Sequence, residues 1–102
     1  MTTVIHVHDM QEGDVYIGRK STLSSPMRSD SPWRSDFKIS AILPRDEAIK
    51  AYEYWVLYSV EHRAMWIREH VHELKGKRLA CWCAPKPCHG NSLAKWAENG
   101  VS

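Results

Sequence analysis

The chain has 102 residues, 43% of them hydrophobic and 25% charged, with a formal net charge of +2. That is enough for one domain with one modest core. The small charge argues against a nucleic-acid coat or a membrane-surface protein, while leaving room for a local basic pocket. No apolar run approaches the length that crosses a bilayer. The first ten residues lack a basic region followed by an apolar stretch, so no signal peptide is expected. Three cysteines cannot all pair within one chain. Without a secretion signal, the expected compartment is the reducing cytoplasm.

Taken in order, Val4 to His8 is short and β-branched and predicts a first strand. Alternation puts Ile5 and Val7 on one face and Val4, His6 and His8 on the other. Gln11 to Asp14 reads as a turn, and Val15 to Gly18 as a second strand with Arg19 and Lys20 at its exit. Residues 21 to 44 are rich in serine, proline and charge, with Met27, Trp33 and Phe37 as scattered anchors. A structureless stretch of that length inside a compact domain is usually functional or mobile. Phe37 to Ile39 could add a short strand.

From Pro44 the pattern turns helical. Asp46 and Glu47 suit a first turn, and Ile49, Tyr52, Val56, Val60, Ala64, Ile67, Val71 and Leu74 recur at spacings of three and four. Two helices with a break near Tyr58 to His62 fit a small domain better than one very long helix. Trp55 and Trp66 sit on or beside the stripe and are expected in the core. Gly76 stops the second helix. Arg78 to Cys83 is the next strand, and His89 to Asn99 the last helix, ended by Gly100. One domain spanning 1–102 follows. Its fold class is α/β, a small central sheet of three to four strands with helices packed on it, Rossmann-like, in two or three layers.

The chemistry concentrates in Arg78 to Leu93, which holds all three cysteines. Three readings compete. The first is anion binding, because ligands of open α/β sheets sit outside the carboxyl ends of strands. The loop after Cys83 lies at such an end and feeds a helix N-terminus, where backbone N–H groups favour phosphate or carboxylate. Gly90 would let the backbone approach the ligand. His89 and Asn91 would add donors, and Arg19 and Lys20 could reach the same edge.

The second reading is zinc on Cys81, Cys83, Cys88 and His89, correct in number and type. The spacing opposes it: a CxC strand holds its sulfurs roughly 6.5 Å apart, further than tetrahedral zinc allows. The third is cysteine catalysis by Cys88, with His89 or His8 as base, since a helix N-terminus lowers a thiol pKa. Against all three stands the plain alternative that a free cysteine is a small buried apolar residue. Alternation turns Trp82 away from its cysteine neighbours, which makes it core rather than ligand wall.

These residues resemble a known family. Val15-Tyr16-Ile17-Gly18-Arg19 is similar to its YIGR word, and Arg45, Tyr52 and Trp55 to its R–Y–W helical spacing. Gly76-Lys77-Arg78-Leu79, Cys81-Trp82-Cys83-Ala84-Pro85 and Pro87-Cys88-His89-Gly90 are similar to its GK–L–CWC–P–PCHG signature. The family is the domain of unknown function 4326, found in bacteria and their viruses, and the resemblance covers most of the chain. It implies the fold and a shared site of Arg19, Cys83, Cys88, His89 and Gly90, with Arg45 as a further candidate. Its name states no activity. The family's GNPF-like word matches either Leu23 to Met27 or Asp30 to Trp33, a departure that would alter specificity if the word shapes the pocket.

The expectation drawn from all this is a protein that binds a nucleotide-like or phosphorylated small molecule at the CWC–PCHG strand end. Tyr16, Gly18, Arg19, Lys20, Arg45, Cys83, Cys88, His89, Gly90 and Asn91 would form the site. Tyr16 or Trp33 would cover a base. A bacterial virus could use such a protein in the host cytoplasm to sequester a nucleotide immune signal. The alternatives are an enzyme, hydrolase or transferase, acting on a nucleotide derivative through Cys88 and His89, and a zinc-stabilised interaction module. Nucleic acid ranks last as a partner and no membrane is expected. A homodimer or higher homo-oligomer would bury some of the five tryptophans.

Overall fold

The structure, a computed structural model, describes residues 1–19 and 30–101. Lys20, the Leu23 to Met27 word and the Met27 anchor lie outside the described residues. Three strands, β1 (Thr3–His6), β2 (Val15–Tyr16) and β3 (Arg78–Cys81), form a parallel sheet in the order β1-β3-β2. Thr3 pairs with Arg78 and His6 with Cys81; Val15 pairs with Leu79 and Tyr16 with Ala80. Among the described residues three α-helices accompany them: α1 (Arg45–Tyr58), α2 (His62–His70) and α3 (His89–Asn99). The fold is thus a small α/β arrangement.

Parallel strands need crossovers. The connection from β2 to β3 carries α1 and α2, while β1 reaches β2 through eight residues, Val7 to Asp14. That short link is pinned by Arg78, whose Nη2 donates to the Asp9 carbonyl at 2.8 Å and pairs with Asp14 at 3.2 Å. It also shortens the first expected strand. Val7 to Asp9 turn into a 3₁₀ segment, with the His8 N–H donating to His6 Nδ1. The second strand ends at Tyr16, although the Ile17 N–H still donates to the Ala80 carbonyl at 3.0 Å. The third ends at Cys81 rather than Cys83. No strand forms at residues 37–39.

The break between α1 and α2 falls where the sequence places it. Ser59 ends α1, its hydroxyl accepts the Glu61 N–H at 3.1 Å, and Arg68 takes up the Val56 and Ser59 carbonyls. These contacts satisfy the orphan groups that any helix end exposes. The core gathers Ile17, Tyr52, Val56, Ile67, Leu79 and Leu93, all fully buried. All but Ile17, which follows β2, come from the apolar positions of their own element. Trp55 and Trp66 pack against this core partly buried, as expected. No helix among the described residues is long and apolar enough to cross a membrane.

Residues 32–36 are held in place by side chains that no local pattern announces. Trp33, 6% exposed, packs on Trp66 with ring centroids 4.7 Å apart, and its carbonyl accepts the Tyr52 hydroxyl at 2.7 Å. Trp33 is therefore core, not the cover of a base. Arg63 binds the same segment: Nη1 donates to the Pro32 and Arg34 carbonyls at 3.1 and 2.7 Å, and Nη2 pairs with Asp36 at 2.7 Å. Its guanidinium also lies 4.4 Å from the centre of the Trp55 ring. Replacing Arg63 by alanine should cost roughly 2 kcal/mol, since a charged donor to several carbonyls is lost at once. Urea unfolding checks this; a midpoint equal to that of the parent protein would refute the role.

Candidate functional site

In a parallel sheet every strand ends on the same side, so the residues leaving β2 and β3 are brought together. Gly18 and Arg19 follow β2; Trp82 and Cys83 follow β3. Between them and residues 35–39 lies an open cleft of about 630 Å³. Cys81, Cys83, Cys88 and His89 line one part of it, and Ala48 and Ile49 of α1 another. Phe37 and Trp82 are its aromatic walls, and Arg19 and Lys38 its cations; no carboxylate lines it among the described residues.

The loop from Cys83 to Cys88 turns at once, with the Lys86 N–H donating to the Cys83 carbonyl at 2.9 Å and a cis Ala84–Pro85 peptide. Cys88 is the N-cap of α3. Its sulfur accepts the Gly90 N–H at 3.3 Å, its carbonyl accepts the Asn91 N–H at 3.0 Å, and its own N–H donates to Asn91 Oδ1 at 2.9 Å. This reciprocal capping box uses the donors near Gly90 that the anion reading assigned to a ligand. Asn91 likewise caps the helix.

Gly90 is buried for another reason than ligand approach. A Cβ there would stand 2.7 Å from Ile17 Cδ1 and 3.2 Å from Val4 Cγ1. The missing side chain lets α3 rest directly on the sheet. Gly18 is comparable: a Cβ would meet the Tyr16 hydroxyl at 2.6 Å. The Tyr16 hydroxyl donates to the Arg19 carbonyl and accepts from Trp82 Nε1 at 2.9 Å. Tyr16 thus shapes the exit of β2 and holds Trp82, rather than covering a base itself. Trp82 is half-buried and faces the cleft, against the expectation that it is core. The strand stops at Cys81, so alternation no longer governs residue 82.

The three thiols converge. The sulfurs of Cys81 and Cys88 are 3.2 Å apart, both buried. Cys83 is more exposed. Its thiol is lowered to about 5, first by a hydrogen bond from the Cys88 thiol, with burial opposing, and then by a hydrogen bond from Arg45 and the charges of Arg45 and Arg19. Cys81 is lowered to about 7, again chiefly by the Cys88 thiol and against burial. Cys88, whose single S–H faces both neighbouring thiols, is pushed up by them and by burial and keeps its proton. Arg45 itself is anchored by a 2.9 Å bond from Nη1 to the Pro87 carbonyl.

His89 points back to the strand. Its Nε2 lies 2.7 Å from the Ile17 carbonyl, and an edge-on contact with Tyr52 brings the ring centres to 5.0 Å. A carbonyl only accepts, so Nε2 carries the proton and Nδ1 is the acceptor. Burial lowers the ring to about 4, the Ile17 bond working against it and the Arg19 and Arg63 charges with it. At neutral pH His89 is an uncharged ring, not a cationic anchor.

The expected site residues therefore divide. Gly18, Arg19, Cys83, Cys88 and His89 line the cleft, and Arg45 reaches it through Cys83. Tyr16, Gly90 and Asn91 support it from behind. No group of three or more His, Cys, Asp or Glu among the described residues is placed to hold a metal ion. Of the cysteines, Cys83 rather than Cys88 carries thiolate character. Sequence reasoning missed Phe37 and Lys38, because nothing in a loop's spacing says which distant surface it covers.

A family model described as a domain of unknown function (DUF4326) matches residues 5–99. A 27-residue stretch is 52% identical to the "Uncharacterized 12.4 kDa protein in nrdA-td intergenic region" of Enterobacteria phage T4. That match spans 26% of this chain and 25% of the phage protein, about a quarter of each. No solved structure matches.

Proposed function

The chain belongs to the DUF4326 family, and we propose that its cleft binds a small phosphorylated molecule of nucleotide-like shape. One observation carries this reading: among the described residues the cleft is lined by Arg19 and Lys38 and by no carboxylate, with Phe37 and Trp82 as aromatic walls. Two cations facing no carboxylate, with only the Cys83 thiolate drawing on the Arg19 charge, favour an anion in a concave, partly apolar site, and an exposed ring face suits a planar base. The position outside the carboxyl ends of parallel strands is where α/β sheets commonly place ligands. The anion is held here by side chains, because the α3 donors around Gly90 are engaged in the helix cap.

A second reading, an enzyme acting on a nucleotide derivative, is favoured by the Cys83 thiolate with neutral His89 in the same cleft. One titration series separates the two. Nucleoside mono- and diphosphates and inorganic phosphate are titrated against the protein by isothermal titration calorimetry. The ligand is then recovered and weighed by mass spectrometry. Saturable binding, competed by phosphate and weakened at least tenfold in an Arg19→Ala, Lys38→Ala double variant, is the expected result; two charge contacts at about 1.4 kcal/mol per tenfold make that a modest demand. Ligand recovered unchanged supports simple binding, and ligand recovered altered supports the enzyme. An equal affinity in the double variant would sink the cleft assignment.

A further inference from the structure

The thiol cluster has a geometry that ligand binding does not use. Cys81 and Cys88 are seven positions apart, yet the end of β3 and the cap of α3 bring their sulfurs to 3.2 Å. A disulfide needs about 2.05 Å, so a shift of little more than an ångström closes the gap. Both residues border the open cleft, though each is only 2–3% exposed, so a small oxidant has a short path to them from that side. We propose that Cys81 and Cys88 are an oxidative modification site, forming a reversible disulfide on contact with a hydroperoxide.

The electrons balance in two steps. The Cys81 thiolate attacks one peroxide oxygen; the O–O bond breaks, hydroxide or alkoxide leaves with the electron pair, and Cys81 becomes a sulfenic acid. The neighbouring Cys88 sulfur then attacks the sulfenic sulfur. The S–O bond breaks, the Cys88 proton leaves with the hydroxyl as water, and the S–S bond forms. Two electrons have passed to the peroxide. The lowered Cys81 thiol supplies the attacking thiolate and the proton held on Cys88 supplies the water. Closure also draws the Cys88 sulfur from the Gly90 N–H that it accepts, which loosens the start of α3, where His89 stands.

The test uses the whole chain, reduced and then treated with a small excess of hydrogen peroxide. It is unfolded, alkylated and weighed intact. Trypsin does not cut between Lys86 and Pro87, so Leu79 to Lys95 emerges as one fragment holding all three cysteines. The expected result is a mass about 2 Da lighter before alkylation, one alkyl group in place of three, and that group on Cys83. A thiol reductant restores all three. The Cys83→Ser variant should lose the same mass, because Cys83 takes no part in the bond. Three alkyl groups after oxidation, an alkyl group on Cys81 or Cys88, oxygen addition of about 16 Da without the loss, or no loss in Cys83→Ser would each overturn the proposal. Because the readout is covalent mass, failure of the ligand-binding reading leaves this result unaffected, and the reverse holds too.

Discussion

Acidifying the protein from pH 7 to pH 4 is expected to remove about 3 kcal/mol of stability that a His89→Gln variant keeps. The cause is burial. His89 sits between Tyr52 and the Ile17 carbonyl as a neutral ring, and its folded pKa is lowered to about 4 from the ordinary 6.5. The unfolded chain therefore binds the proton more readily than the folded one. The contribution is complete above pH 6.5, fades as pH falls between 6.5 and 4, and is gone below the folded value. That interval, at 1.36 kcal/mol per unit, is where the figure of about 3 kcal/mol comes from. Carboxylates and Cys83 also titrate in this window, so the comparison is a difference between the two proteins at each pH. Glutamine keeps an N–H for the Ile17 carbonyl and has nothing to titrate. Urea midpoints from pH 4 to 8 read the result. Curves that stay parallel across the range would show that His89 charges freely and is not the buried ring described here.

Placing valine at Gly90 should cost about 3 kcal/mol, and alanine about 1 kcal/mol net. Two effects oppose each other at this position. Alanine is the better helix former by about 1 kcal/mol. Yet its Cβ arrives 2.7 Å from Ile17 Cδ1 and 3.2 Å from Val4 Cγ1, in a part of the core where Ile17 has no exposed surface to retreat to. Overpacking of that kind costs roughly 1–3 kcal/mol, and for valine the two further methyl groups leave no compensation. In a domain of this size each kcal/mol moves the melting temperature by roughly 4–8 °C, so Gly90→Val should melt more than about 10 °C lower. An unchanged melting point in both variants would mean that α3 does not rest on the sheet through this glycine. A loss of ligand binding with an unchanged melting point would restore the idea that Gly90 admits a ligand.

Much of this protein could be read from its order of residues. The periodic apolar stripe marks α1 and α2, the acidic first turn marks the start of α1, and Cys88-His89-Gly90-Asn91 opens the last helix at the residue expected; Gly76 does not end α2, which stops at His70 and passes into a 3₁₀ segment, Val71–Leu74. These are local matters, decided by spacing, caps and turn chemistry within a few residues. The concentration of chemistry in CWC–PCHG is local too, as is the placement of Arg19 at a strand exit.

What lay beyond reach depended on distance in the fold. The order β1-β3-β2 sets the exit of β2 beside that of β3, some sixty residues later, and only then do Arg19 and Cys83 share a cleft. Lys38 and Phe37 join it because Arg63 and Tyr52 hold residues 32–36 from the other side. Alternation misplaced Trp82 because the strand ended one residue before it. Zinc, phosphate cradle and nucleophile were three competing readings of one short stretch, Arg78 to Leu93. The tertiary structure shows where each donor is spent: the Gly90 amide on a sulfur, the His89 Nε2 proton on a carbonyl, and the Arg45 guanidinium on Pro87 and the Cys83 thiol. Sequence determines which groups are present; burial and hydrogen-bond partners, which arise only when distant segments meet, determine which of them remain free to act.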